Sequence, residues 1–116
     1  MADVTVWFNP KCSKCRTAQG ILAEKGVDAE YVRYLESSPS RDELERVLKL
    51  LGTDDPMTIV RTGEDRWKEL TVDRADRDAV LDALAANPVL IERPIVIRGD
   101  KAVVARPPEK VLELLS

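Results

Sequence analysis

Within its first 35 residues the chain passes from the two-residue rhythm of a strand to the 3.6-residue rhythm of a helix and back. That order constrains the fold more than any other feature. "VTVWF" (4–8) is β-branched and aromatic. "SKCRTAQGILAEKG" (13–26) then spaces Cys15, Ala18 and Ile21 or Leu22 at helical intervals and stops at Gly26. "AEYVRYL" (29–35) returns to strand character. Two strands joined by a helix require a crossover, so they lie parallel. The turn between the first strand and the helix then falls at the C-terminal edge of a parallel sheet, where such folds place ligands.

The middle of the chain reads as short separate helices. Ser40 and Glu43 form a capping box, Leu44, Val47, Leu48 and Leu51 one apolar stripe, and Gly52 a stop. Asp55 and Pro56 supply a new N-cap and first helical residue. A further helix over about 77–86 turns Val80, Leu81 and Leu84 inward and ends at Asn87-Pro88. "RPIVIRGDKAVVARPPEKVLELL" predicts two strands around a Gly99-Asp100 turn and a short helix after Pro107 and Pro108. The expected fold is therefore α/β and thioredoxin-like: βαβ plus ββα on a mixed four-stranded sheet. It is expected as a single domain, 1–116, with a helical insertion at about 40–88.

Composition narrows the function. The chain has 116 residues, 44% hydrophobic and 34% charged, which suits one globular domain. A net charge of −3 gives no global field toward nucleic acid, so no nucleic-acid partner is expected. No apolar run approaches the ~20 residues that span a bilayer, and no signal core follows the N-terminus. The expectation is a cytoplasmic protein with no membrane partner. In a reducing cytosol, a Cys-x-x-Cys pair is redox-active or metal-binding more often than a permanent staple.

That pair is Cys12 and Cys15, and the chain has no histidine. A zinc site needs about four ligands, so two cysteines alone would have to recruit carboxylates or a second subunit; no metal is expected. Burial as ordinary core is the rival for Cys15, which lies on the inward stripe of its helix. Cys12 stands at the helix N-terminus, flanked by Lys11, Lys14 and Arg16, where unpaired N–H groups and the positive end of the dipole favour a thiolate. The same donors suit an oxyanion beside the sulfur. The spacing puts the second sulfur one helical turn behind the first, within range of a disulfide. Three arginines outside helical charge runs complete the candidates: Arg61, Arg93 and Arg106. Arg93-Pro94 enters a strand beside the first βα turn, at the place where thioredoxin-like folds carry a cis-proline.

These segments together resemble the glutaredoxin-linked arsenate reductase family over about residues 4–115. The resemblance rests on "NPKCSKCR" for an Asn-Pro-x-Cys-x-x-x-Arg loop, "YLESSPSRDEL", "IVRTGE", "NPVLIERPIVI" and "ARPPEKVLELL". It implies that Cys12 is the nucleophile and that Arg61, Arg93 and Arg106 bind the oxyanion. Asn9 and Arg16, which open and close the loop, fall in the substrate-binding set, and Pro94 is structural. Planar guanidinium forks match a tetrahedral dianion such as arsenate. The implied partners are arsenate or a similar oxyanion and glutaredoxin or thioredoxin as reductant. No cofactor is bound, and the electrons come from an external thiol such as glutathione.

Two positions depart from the pattern. Phe8 stands where the best-studied branch has His, and Cys15 where the family commonly has Ser. Cys15 could therefore act as an internal resolving thiol, which leaves the reductant open. The Cys-x-x-Cys-Arg arrangement also resembles Spx-type redox regulators that bind RNA polymerase. A thiol oxidoreductase without arsenate activity is a third reading.

Overall fold

The computed structural model describes residues 3–115. In chain order the elements are strand β1 (Val4–Trp7), helix α1 (Ser13–Glu24), strand β2 (Ala29–Val32), helix α2 (Arg41–Leu51), a 3-10 turn (Pro56–Ile59), helices α3 (Asp65–Leu70) and α4 (Arg77–Ala86), a second 3-10 turn (Pro88–Leu90), strands β3 (Ile95–Arg98) and β4 (Lys101–Val104), and a 3-10 helix (Pro108–Leu114). They form two compact units. One contains the chain up to Tyr34 and from Arg93 onward, the other residues Leu35–Glu92.

The first unit is the sheet, in the order β2-β1-β3-β4. β1 pairs with β2 in parallel, Val6 opposite Tyr31, and with β3 antiparallel, Val6 opposite Val96. β3 and β4 close a hairpin whose last pair is Arg98 and Lys101. Its two-residue loop starts at Gly99 with φ 60°, the position and sign that a type II′ turn gives to glycine. This is the thioredoxin-like arrangement expected from the sequence. α1 buries Cys15, Ala18 and Leu22 on one stripe, as its spacing predicts.

Two elements of this unit differ from the sequence reading. β2 stops at Val32 rather than running to residue 35, because the Phe8 N–H to Val32 carbonyl bond of 2.8 Å is the last that β1 can supply before the chain turns at Asn9. The C-terminal helix is 3-10, not α. Its buried residues, Pro108, Val111 and Leu114, recur every third position and so suit a three-residue turn.

The second unit is helical. The Ser40–Glu43 capping box forms with both bonds, 3.2 and 3.1 Å, and α2 ends at Gly52 in the left-handed region, φ 82°. Asp55 caps the Pro56–Ile59 turn through the Met57 N–H at 3.0 Å. That element lasts only four residues, since Val60 turns extended to bridge Ile91. Asp76 caps α4 through the Ala79 N–H at 3.1 Å. Across α2 and α4, Arg77 pairs with Glu45, and Arg41 with Asp78 at 2.8 Å and Asp82 at 3.2 Å.

α3 is absent from the sequence reading. Glu64 makes no side-chain cap there, and the residue that ends the helix is Thr71 rather than glycine, in the left-handed region at φ 48°. A β-branched residue is strained in that conformation, by about 1 kcal/mol or more. Trp67 anchors the six-residue helix by burial. We expect Thr71→Gly to raise unfolding stability by up to ~1 kcal/mol, and Ser40→Ala, which removes the α2 cap, to lower it by ~1 kcal/mol. Urea denaturation reads both; a loss for Thr71→Gly would show that the left-handed turn is not strained.

Candidate active site

The turn from β1 into α1 is shaped by its own backbone. Asn9 accepts the Lys11 N–H on Oδ1 at 3.0 Å, and its carbonyl accepts the Cys12 N–H at 3.0 Å. Cys12 is thereby the N-cap of α1, with extended backbone at φ −90°, and its carbonyl takes the first intrahelical bond from the Arg16 N–H at 3.1 Å. No N–H of the first turn makes a strict capping bond to the side chain. The Cys15 and Lys14 amides nevertheless help to lower the Cys12 pKa.

The two thiols differ sharply. Burial raises the pKa of Cys12, but the Cys15 N–H and thiol, the Arg93 guanidinium and the Lys14 N–H together hold it below its ordinary value. Cys15 is pushed up to about 11, first by burial and then by the charge on Cys12, against the Asn9 N–H and Arg93. Cys12 keeps 8% of its surface exposed and Cys15 none. The more acidic thiol keeps a little surface, while the less acidic one is fully enclosed in the core. Both are free.

The cation acting on Cys12 is Arg93, not the flanking residues singled out in the sequence. Lys11, Lys14 and Arg16 all point into solvent, where water screens their charge. Arg93 is half-buried and precedes Pro94 through a cis peptide bond, the geometry expected there. Its Nε and Nη1 are buried with no hydrogen-bond partner among the described residues. Buried donors left unpaired cost about 1–3 kcal/mol or more each, so this guanidinium has two donors that an acceptor would satisfy. Arg106 leaves the end of β4 before the cis Arg106-Pro107 bond, half-buried, its N–H donating to the Val104 carbonyl at 2.9 Å.

Arg61 belongs to the helical unit and has a different environment. Its Nη1 pairs with Glu64, and its Nε lies 3.7 Å from Glu92. Sequence reasoning passed over both carboxylates, although the Arg61–Glu64 spacing of three was a usable signal. Phe8 is buried and packs edge-on against Tyr31, ring centroids 5.2 Å apart at 70°, so this position before the loop makes apolar contact. Among the described residues no cluster of His, Cys, Asp or Glu could hold a metal ion, and no helix is long and apolar enough to cross a membrane.

The chain is similar to known proteins in sequence and fold. The ArsC family model matches residues 7–114. An arsenate reductase of Neisseria meningitidis is 40% identical over 117 residues, spanning 99% of this chain and 100% of that protein. One from Haemophilus influenzae is 41% identical over 115 residues, spanning 97% and 99%. The solved structure of an arsenate reductase from Vibrio cholerae is 40% identical over 97% of each chain, with a TM-score of 0.92. With this coverage in both sequence and structure, the chain is a member of the ArsC family.

Proposed function

We propose that the protein is an arsenate reductase with Cys12 as its nucleophile and an oxyanion held by Arg93, Arg106 and Arg61. The observation that carries this reading is the unpaired, buried Nε and Nη1 of Arg93 acting on a thiol whose pKa lies below its ordinary value. A cation that both favours the thiolate and lacks acceptors suits a reaction in which an anionic nucleophile meets an anionic substrate. Asn9 shapes the loop, the first-turn amides of Ser13, Lys14 and Cys15 add dipole charge at the same end, and Arg16 closes the loop as in the family segment. The part given to Arg61 rests on the likeness of "IVRTGE" to the family segment.

In this mechanism the Cys12 thiolate attacks arsenic, and an As–OH oxygen leaves as water after taking one more proton from solvent. A second thiolate then attacks the Cys12 sulfur. The S–As bond breaks with its electron pair going to arsenic, which leaves as arsenite, and the two sulfurs end as a disulfide. Cys15 is the internal candidate for that second thiol, by adjacency to Cys12; its complete burial favours the rival, in which external glutathione, glutaredoxin or thioredoxin resolves Cys12. The protein needs no bound cofactor for either route.

Arsenate-dependent thiol consumption, run in parallel with glutathione plus glutaredoxin, with thioredoxin and with no carrier, tests the function. Cys12→Ser should abolish it with the fold intact. Thiol cycling without arsenate dependence would favour a general oxidoreductase or a redox regulator instead.

The lowered pKa of Cys12 has a defined sign. Its thiolate predominates above its folded pKa and is lost as pH falls through it, so alkylation of Cys12 should show a midpoint below the ~8.5 of a free thiol. Cys15 should stay unmodified through the same range. A midpoint at or above the free-thiol value would remove the physical basis for the nucleophile.

Arg93→Ala should lower kcat/KM for arsenate by about one to two decades, the size of a lost charge-assisted contact of about 1.5–3 kcal/mol. Reaction with an uncharged alkylating probe, compared well above the Cys12 midpoint, should change far less. Equal losses would assign Arg93 a structural part only.

After one turnover with arsenate and no added thiol, mass spectrometry of the alkylated protein should find both cysteines protected if Cys15 resolves. An alkylatable Cys15 at that point would make the protein a single-cysteine reductase.

A further inference from the structure

Arg61 and Arg93 present opposite states of the same group. Arg93 has buried nitrogens without acceptors, whereas Arg61 is already engaged by two carboxylates, Glu64 through Nη1 and Glu92 at 3.7 Å from Nε. All three side chains of this cluster are about three-quarters buried, with 24%, 28% and 25% of their surface exposed, so solvent screens the pairing less than at an open surface.

The backbone holds the cluster in place. Val60 and Ile91 form an antiparallel bridge, flanked by the Arg61 N–H to Leu90 carbonyl bond at 2.7 Å and the Glu92 N–H to Ile59 carbonyl bond at 2.8 Å. Arg61 and Glu92 are thus set on the two segments that the bridge joins. Glu64 is fixed from the other side, its N–H donating to the Arg61 carbonyl at 3.1 Å. One guanidinium between two carboxylates leaves the cluster with a formal charge of −1. A dianion approaching Arg61 meets this net negative charge, so displacing a carboxylate strengthens its hold.

We propose that Glu92 and Glu64 are internal competitors for Arg61, so that oxyanion binding at this arginine is an exchange of ligands rather than a simple addition. This rests on the reading of Arg61 as an oxyanion ligand. Glu92 acts through Arg61 and is therefore a positioning residue that sets affinity. The competition makes the free protein weaker for oxyanions than its arginines alone would be, and a ligand must supply more than one carboxylate's worth of attraction to take Arg61 over. Glu92 is also the residue bonded to Arg93, so the competitor for one arginine is joined through the backbone to the other.

Arsenate binding measured by calorimetry in the Cys12→Ser background, where turnover is blocked, tests the proposal. Glu92→Gln keeps the shape and removes the charge, and should tighten arsenate binding by roughly three- to tenfold, the range of a modest ion-pair coupling. Glu64→Gln should act in the same direction. With Cys12 present, Glu92→Gln should lower KM and leave kcat nearly unchanged, a split that a merely structural role would not produce. Added to Arg61→Ala, Glu92→Gln should give no gain. If Arg61→Ala weakens binding while both glutamine variants leave it unchanged or weaken it, the carboxylates orient Arg61 and the proposal is wrong. If Arg61→Ala itself leaves arsenate affinity unchanged, the reading of Arg61 as a ligand fails, and the exchange with it.

Discussion

The register of β1 with its two neighbours is the constraint on which the rest of the sheet unit depends. β1 is central, parallel to β2 on one side and antiparallel to β3 on the other. Trp7 opposes Ile95, so the chain leaving β1 toward Asn9 and Cys12 emerges beside the chain entering β3 from Arg93 and Pro94. β4 extends the same logic: Val104 opposes Ile95, and the Ala105 N–H donates to the Pro94 carbonyl at 2.9 Å, which brings the start of the Arg106 segment to that edge. A slip of one residue along β1 would move each side chain to the other face and take Val4 and Val6 out of the cluster that holds both cysteines, so the register that builds the core also assembles the cysteine turn with two arginines.

Desolvation and stabilisation compete on the cysteines, and position decides which wins. Both sulfurs lie in the same apolar cluster, with Val6, Phe8, Val96 and Ala105 around them. Burial alone would suppress both thiolates. Cys12, at the open end of the helix, has amides and a guanidinium that outweigh it; Cys15, one turn inside, does not. A difference of three positions along one helix thus turns identical chemistry into unequal acidity.

Elements with strong punctuation were legible from the sequence, and those without it were not. α2 and α4 carried a capping side chain and a clear apolar stripe, and their ends were readable to within a residue. α3 lacked both a capping bond and a glycine stop, and its identity comes from the burial of Trp67, which a single sequence does not reveal. For the candidate site, spacing and helix position marked Cys12, whereas the electrostatics needed three dimensions. Charge near in sequence, on Lys11, Lys14 and Arg16, proved exposed, and the cation that acts on the sulfur comes from Arg93, about eighty positions away. The carboxylates on Arg61 were hidden for the same reason, since Glu92 reaches it only through the bridge between Val60 and Ile91.

The full enclosure of Cys15 has a consequence for the direction of thiol exchange. In any disulfide joining the two sulfurs, an incoming carrier could touch only Cys12, and its attack there would expel Cys15. Yet Cys15, whose thiol is pushed up first of all by burial, is the poorer leaving group of the two, since exchange runs faster when the departing thiol is more acidic. Access and leaving ability therefore favour opposite sulfurs. A bridged form of this protein would open slowly, and the shape of the donor that reaches Cys12 would govern the rate of recycling.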